Sequence, residues 1–237
     1  MSASTIVFDL DGTLVDTAPD LIGSLNVLFA REGLAPIALN EGRSMIGGGV
    51  KPLIERGLAT QGRALMAAQL DALYAGFVTH YAEHIADSSR PYPGVEAALD
   101  VLAARGCRFA VCTNKLAWLS VRLLDRLGLS PRFVAICGQD TFGVQKPDPV
   151  VLRRTIAAAG GDLADAVMVG DSITDIRTAR AAGVPVVAVD FGYTDIPVSR
   201  LSPDRIISSF AELPAAVEDL LSAGRDGVRA AADASGR

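Results

Sequence analysis

Two carboxylates stand one residue apart directly behind a short apolar run near the start of the chain. Asp9 and Asp11 follow residues 6–8, and Gly12 comes next. A run of β-branched and aromatic residues is typical of a buried strand, and Asp-Gly favours a turn. Ligands bind at the carboxyl edge of an open α/β sheet. The spacing offers two acids that can hold one cation or share one reaction, although an ordinary strand ending in an Asp-Gly turn has the same sequence.

Polar side chains recur behind later apolar runs. They are Thr113 and Asn114, then Lys146, and finally Asp171 and Asp175. Parallel strands present their carboxyl ends at one edge of a sheet, so we expect these side chains to lie near the first two acids. A hydroxyl, a lysine and several acids together form a constellation suited to catalysis.

The chemistry of this constellation follows from its residue types. Clustered carboxylates repel each other, and Mg²⁺ relieves that repulsion while keeping waters and a substrate phosphate. No His or Cys accompanies the acids, which argues against zinc. The Thr113 hydroxyl and the Lys146 ammonium would donate to phosphate oxygens. One carboxylate can attack phosphorus, and another can protonate the leaving oxygen and then activate water.

The elements that position these residues alternate between apolar strands and amphipathic helices from residue 95 onward. This order predicts an α/β fold: a doubly wound, Rossmann-like parallel sheet covered by helices on both faces. A last helix is expected from Leu213 to Leu221, and the tail from Ser222 lacks periodicity and is expected to fray. We expect strands over residues 6–8, 109–113, 133–137, 166–170, 186–189 and 205–207.

No strand signal appears between residues 14 and 106, where the sequence instead indicates helices with a glycine-rich break at residues 42–49. Parallel strands need only about a dozen connecting residues, so this gap implies an insertion. We predict a helical cap domain over residues 17–88, inserted into a discontinuous α/β core of residues 1–16 and 89–237. Residues 90–94, rich in Pro and Gly, would form the hinge.

Composition excludes several classes of protein. The net charge is −5, from 22 basic and 27 acidic residues, and no basic cluster indicates a nucleic-acid partner. No apolar run approaches the roughly 20 residues that span a bilayer, and no secretory signal is visible. The three cysteines lack disulfide-like or zinc-like spacing, which favours reduced thiols and a cytoplasmic location. We expect a monomer or homodimer that binds a small phosphorylated metabolite.

Four motifs in order resemble the haloacid dehalogenase superfamily, and most of all its phosphoglycolate phosphatase branch. The resemblance covers residues 4 to about 220, and residues 46–56 resemble the cap region of that branch. The motifs are Asp9-Leu-Asp11-Gly-Thr13, Thr113-Asn114-Lys115, Lys146-Pro147-Asp148-Pro149 and Gly170-Asp171-Ser172-x-x-Asp175.

The resemblance implies a role for each matching residue. Asp9 would be the nucleophile and a Mg²⁺ ligand, and Asp11 would be the general acid and base and a ligand through its backbone carbonyl. Asp171 would be the third protein ligand, while Thr113 and Lys146 would bind the transferring phosphoryl group. The dehalogenases of the family lack the second acid, so the presence of Asp11 favours phosphoryl transfer.

Other positions keep two interpretations. Asp175 would support the metal from behind its direct ligands, but Ser172-x-x-Asp175 is also a capping box that begins a helix.

In the predicted cap, Gly48 would let the backbone approach the substrate, and Arg43, Lys51 and Arg56 would either meet a substrate carboxylate or remain solvated charges. Asn114 is expected to contribute to substrate binding from the core.

The resemblance implies Mg²⁺-dependent hydrolysis of a small phosphomonoester, 2-phosphoglycolate first, through an aspartyl-phosphate. A pyrophosphatase or a sugar phosphomutase would share the motifs. A receiver-like signalling domain or a non-catalytic binder of the same fold are rivals, which the inserted helices and the complete residue set disfavour. His80 and His84 also match an inverted zincin pattern, with no third ligand evident.

Overall fold

The structure is a computed structural model that describes residues 3–194 and 196–223. Within them, the strands in chain order are β1 (Thr5–Phe8), β2 (Val15–Asp16), β3 (Arg90–Pro91), β4 (Arg108–Cys112), β5 (Phe133–Cys137), β6 (Ala166–Gly170), β7 (Val186–Val189) and β8 (Arg205–Ile207). Six of them form a parallel sheet in the order β5-β4-β1-β6-β7-β8. The predicted doubly wound fold class is therefore confirmed.

The register of the sheet brings the site residues to one level. The central strand β1 pairs with β4 and β6, so that Phe8 lies beside Val111 on one side and Val169 on the other. Asp9 follows Phe8 directly and continues the ladder, since its N–H donates to the Val169 carbonyl at 2.9 Å. The chain segments that follow β4 and β6 consequently emerge at the same edge as Asp9.

The helices in chain order are α1 (Ala18–Arg31), α2 (Leu39–Arg43), α3 (Val50–Ala59), α4 (Ala67–Glu83), α5 (Val95–Ala104), α6 (Ala117–Arg126), α7 (Pro149–Ala158), α8 (Ile173–Ala182) and α9 (213–223). Side chains alternate between the two faces of the sheet. Ile6 and Phe8 belong to an apolar cluster with residues of α5, α6 and α9, and Val7 belongs to a second cluster with α7 and α8.

Helices α1 to α4, here called the cap helices, lie between β2 and β3 in the chain. Helix α1 packs against α2 and α4, and α3 packs against α4. Their apolar side chains, including Leu25, Phe29 and Phe77, belong to the cluster that also covers one face of the sheet. The division into a core and a cap domain with the stated boundaries stays a prediction.

Two local expectations are wrong. The region between residues 14 and 106 does contain strands, because β2 and β3 form a two-residue antiparallel pair. Strands of two residues are too short to show the alternation of apolar and polar residues that identifies a strand. Pro91 also argues against a strand interior. Helix α2 also overlaps the predicted glycine-rich break. Gly42 lies inside it because a Cβ there would overlap Ile22 of α1, so this glycine serves helix packing rather than a turn.

Two remaining expectations concern membranes and the chain end. Among the described residues, the helices are all too short or too polar to cross a bilayer. Of the tail expected to fray, residues 222 and 223 are helical and the remainder lies outside the described residues.

Candidate active site

Asp9 lies at the carboxyl edge of the sheet and is buried, with 9% of the residue exposed. Its Oδ1 is 2.8 Å from Lys146 Nζ, which makes a close ion pair. The angles of that contact do not make a hydrogen bond, so Oδ1 has no hydrogen-bond donor among the described residues. The buried Asp9 Oδ1 thus has a positive charge beside it but accepts no hydrogen bond.

Asp171 follows β6 and is held from three sides. Thr13 Oγ1 donates to its Oδ1 at 3.1 Å, and the Tyr193 backbone N–H donates to its Oδ2 at 2.7 Å. Gly12 and Gly192 approach it so closely that a Cβ at either position would overlap the carboxylate. The position of this acid is therefore fixed by backbone that only glycine permits.

Asp175 serves helix α8 and Lys146 at once. Its Oδ2 accepts hydrogen bonds from the Ser172 amide and hydroxyl, which completes the capping box, and its Oδ1 accepts one from Lys146 Nζ at 2.6 Å. The structure thus shows the predicted capping box, in which Asp175 begins α8 together with Ser172. Its second partner also places it directly behind the other two acids.

Asp9, Asp171 and Asp175 form a buried acidic cluster, in which one oxygen from each lies within 4.8 Å of the others. Lys146 is the cation paired with this cluster among the described residues, which leaves two negative charges when all three acids are ionised. Burial is the main cause that raises the pKa of Asp9 to about 6 and that of Asp171 to about 8. A divalent cation would balance the remaining charge, so the cluster fits a site for one.

Lys146 is held by Asn114 through a reciprocal pair of hydrogen bonds. The Asn114 amide donates to the Lys146 carbonyl at 3.0 Å and accepts from the Lys146 N–H at 2.9 Å. Burial lowers the pKa of Lys146, but Asp175 and Asp9 outweigh it and hold that pKa above its usual range. The lysine therefore stays charged, and the Asn114 side chain, which was expected to meet substrate, is committed to positioning it.

Lys115, for which the sequence predicted no role, holds Asp11. Lys115 Nζ donates to both Asp11 oxygens, at 2.8 and 3.0 Å, and lies 4.6 Å from the ring centre of Tyr81 in α4. The Asp11 side chain is thus turned to Lys115 and does not join the acidic cluster. The signal was a second cation directly behind Thr113-Asn114, which strand and helix periodicity leave unexplained.

Thr113 is 2% exposed and follows directly after β4. Its N–H donates to the Cys137 carbonyl, and its hydroxyl accepts from the Lys115 N–H at 3.2 Å. The hydroxyl proton is free to turn toward a ligand, because that contact uses the oxygen only as an acceptor.

A cavity of about 680 Å³ lies over these residues, between the sheet edge and the cap helices. Asp9, Asp11, Thr113, Lys146 and Asp171 line it from the core, together with Asn114, Lys115 and Tyr193. Residues 44–50 line it from the cap, and Gly48 is among them. Gly49 comes so near the core that a Cβ there would lie 3.0 Å from Gln139 Oε1.

Two of the predicted cap cations do not line the cavity. Arg43 makes a bidentate contact with Asp16, at 2.9 and 2.8 Å. Lys51 pairs with Asp71 at 2.6 Å on the exposed surface of the cap helices. The cap cation that does line the cavity is Arg56.

Tyr193 is a second residue that the sequence analysis missed. Its N–H holds Asp171, and its hydroxyl donates to Asp16 and accepts from the Ala18 N–H. It therefore connects the acidic cluster to the start of α1. No sequence signal points to it, because it follows β7 in a loop without periodicity.

The two histidines of the zincin-like pattern form a separate pair on α4. Their rings stack with centres 4.4 Å apart, His80 contacts Ser24, and His84 contacts Asp87. Within the described residues, the acidic cluster is the one group of three or more metal-ligating side chains, so the histidines have no third ligand.

Comparison with known proteins agrees with the motifs. Residues 6–189 match the family model described as haloacid dehalogenase-like hydrolase. A protein of Caulobacter vibrioides named phosphoglycolate phosphatase is 48% identical over 93% of each chain. One of Mesorhizobium japonicum with the same name is 51% identical over 90% of this chain and 94% of its own.

Solved structures share the fold. A crystal structure from Haemophilus somnus 129PT, described as a "predicted phosphoglycolate phosphatase", superposes with a TM-score of 0.83 at 31% identity, covering 89% of this chain and 96% of its own. CbbY from Rhodobacter sphaeroides in complex with phosphate has a TM-score of 0.78 over 92% of this chain and 100% of its own. At 24% identity, the latter supports the fold alone.

Proposed function

Because the chain belongs to the haloacid dehalogenase-like hydrolase family, we propose that this phosphoric monoester hydrolase converts 2-phosphoglycolate to glycolate and phosphate through an aspartyl-phosphate. The observation that carries the proposal is the buried acidic cluster around Lys146 on the floor of the cavity, with Asp11 beside it. The substrate is taken from the names of relatives at 48–51% identity.

The cation in this proposal is Mg²⁺, which the carboxylates of Asp9 and Asp171 and the Asp11 carbonyl would hold. Oxygen donors without His or Cys suit a hard cation. When bound, Mg²⁺ supplies positive charge to the oxygens of the transferring phosphoryl group. Asp175 would support the site through Lys146, whose ammonium donates to its Oδ1, rather than as a direct ligand.

In the first step, an Asp9 carboxylate oxygen attacks phosphorus and the bond from phosphorus to the glycolate oxygen breaks. Asp11 gives its proton to that leaving oxygen. In the second step, Asp11 takes a proton from water, the water oxygen attacks phosphorus, and the bond to Asp9 breaks. Phosphate leaves, and both aspartates return to their starting states.

The remaining residues bind and orient. Lys146 and the Thr113 hydroxyl would donate to the phosphoryl oxygens, where negative charge is held in the transition state. Asn114 keeps Lys146 in place through its backbone. Lys115 holds the Asp11 carboxylate in one orientation with two hydrogen bonds.

The test is phosphate release from 2-phosphoglycolate with Mg²⁺ and with EDTA, for the protein and for Asp9→Asn. We expect fast release that requires the metal and falls by roughly 10⁴-fold or more in the variant, because an amide is not a nucleophile. Asp148→Asn is the matched control: Asp148 caps α7, a role that Asn fills equally well.

A substrate panel separates the alternatives. If phosphate were released faster from pyrophosphate, the proposed substrate would be wrong and the mechanism would stand. If the phosphoryl group moved from one position of a sugar phosphate to another without release of phosphate, the protein would be a mutase. No release from any substrate by the folded protein would reject the proposed function.

A further inference from the structure

The wall that the cap helices present to the cavity carries one arginine, Arg56 of α3. Its Nη1 donates to the carbonyls of Met45 and Gly47, at 2.8 and 3.1 Å. These contacts attach the guanidinium to the loop that faces the sheet edge. Among the described residues, its Nη2 and Nε donate to no acceptor, so one side of the planar fork stays available.

The charges around the cavity set this arginine apart. Lys146 pairs with Asp9 and Asp175, and Lys115 pairs with Asp11. Arg56 has no carboxylate partner within ion-pair distance in the described part of the chain, although it lines the same cavity. It is therefore the cavity cation whose charge the protein itself leaves uncompensated.

The other cap cations are already engaged. Arg43 is occupied by Asp16, and Lys51 is occupied by Asp71 outside the cavity. A second anionic group on a ligand would thus find one open cation on the cap side. A guanidinium held by two backbone carbonyls is also pre-organised, because its orientation is set before the ligand arrives.

We propose that Arg56 forms a subsite for a second anion of the substrate, a carboxylate, at the end of the molecule opposite the phosphoryl group. This inference rests on the proposed function, because it assumes that the phosphoryl group sits at the acidic cluster. Within that function, it identifies Arg56 as the residue that selects phosphomonoesters with a carboxylate over those without one. Removing a charge-assisted hydrogen bond of this kind costs about 10- to 100-fold in kcat/KM.

The experiment compares two substrates that differ in the carboxylate alone: 2-phosphoglycolate and 2-hydroxyethyl phosphate, both with Mg²⁺. In the unaltered protein we expect a clear preference for 2-phosphoglycolate. In Arg56→Gln we expect that preference to fall by about 10- to 100-fold. The loss should appear mainly in KM, with hydrolysis of 2-hydroxyethyl phosphate little changed. Lys51→Gln, which removes a cap cation outside the cavity, should keep the preference.

A structural role for Arg56 gives a different result. If the arginine only ties the loop of Met45 and Gly47 to α3, Arg56→Gln slows both substrates equally, and the inference is overturned. Arg56→Lys guards against a folding defect: it keeps the charge and loses the two-pronged contact, so it should restore part of the preference.

The two substrates also distinguish failure of the proposed function from failure of the subsite. If the unaltered protein hydrolyses neither compound, the proposal of 2-phosphoglycolate as substrate falls, and the subsite falls with it. If it hydrolyses both equally well, phosphatase activity stands and the carboxylate subsite is rejected.

Discussion

The core side and the cap side of the cavity hold their charged groups in different ways. On the core side, Lys146 and Lys115 are almost fully buried, and each lies 2.8 Å from a carboxylate. On the cap side, Arg56 is exposed and leans on backbone carbonyls of a loop with three successive glycines at positive φ. The core side fixes its charges against each other, and the cap side leaves one charge to be met by a ligand.

The difference has a physical reason. Buried charges are tolerated only with partners in good geometry, so a floor of charged groups has to be rigid. An exposed arginine that donates to the carbonyls of a glycine-rich loop has no such requirement.

The largest expected effect concerns Asp11. Asp11→Asn should lower kcat for 2-phosphoglycolate by about 10²- to 10⁴-fold, because the leaving alkoxide loses its proton donor. With p-nitrophenyl phosphate, whose leaving group needs no proton, the loss of the first step should be much smaller. Because the second step needs Asp11 as a base for either substrate, the check is the rate of the first step in single-turnover measurements, and equal losses in that step would contradict a role as general acid.

The next effect compares one substitution on both sides. Lys146→Met leaves Asp9 and Asp175 without their buried partner and should lower the free energy of unfolding by about 3–5 kcal/mol in EDTA. Lys51→Met removes an exposed ion pair and should leave the urea midpoint unchanged. Similar midpoints for both variants would show that the core side does not depend on its charge pairs.

A smaller effect lies at the junction of the two sides, where Asp16 meets Arg43. Burial raises the pKa of Asp16, but hydrogen bonds from Arg43 and Tyr193 outweigh it and hold that pKa below its usual value. A lowered carboxyl pKa stabilises the fold above the unfolded pKa, near 4, and this contribution is lost as pH falls through the folded pKa.

Urea unfolding of the protein and of Asp16→Asn between pH 7 and pH 3 measures this contribution. We expect the variant to be less stable at pH 7, by less than Lys146→Met, and the difference to shrink toward pH 3. A difference that stays constant with pH would mean that the ion pair is not its source.

The smallest effects concern two glycines, one inside α1 and one directly before α3. Gly49 has φ +97°, so Gly49→Ala should destabilise by about 1–2 kcal/mol. Gly23 lies in α1 with open space around it, so Gly23→Ala should stabilise by about 0.5–1 kcal/mol. Thermal unfolding checks both signs, and a stable Gly49→Ala would show that the loop relaxes without cost.

Much of the fold could be predicted because the signals are local. Strands β5, β6, β7 and β8 begin and end at the residues that their apolar runs indicate, and the polar residues behind the runs reach one edge. The motif residues Asp9, Thr113, Lys146 and Asp171 were found in the same way, and their roles stay predictions.

What could not be predicted depends on contacts between distant segments. The pairing of Lys115 with Asp11 joins residues 104 apart, and that of Tyr193 with Asp171 needs a loop without periodicity. The sequence shows that Arg43, Lys51 and Arg56 are charged, but only helix packing decides which of them faces the cavity. The two-residue strands β2 and β3 are shorter than any period that could reveal them.

The central place of β1 in the sheet has a consequence for how the protein is made. Strand β1 leaves the ribosome first, but its neighbours β4 and β6 begin only at residues 108 and 166. Until both emerge, the apolar strand that carries Asp9 has no partner, while the cap helices can already pack locally. Such long-range pairing slows folding and exposes an unpaired strand edge. The acidic cluster is therefore completed late in synthesis, and a nascent chain released before β6 would expose one edge of β1 and lack the site.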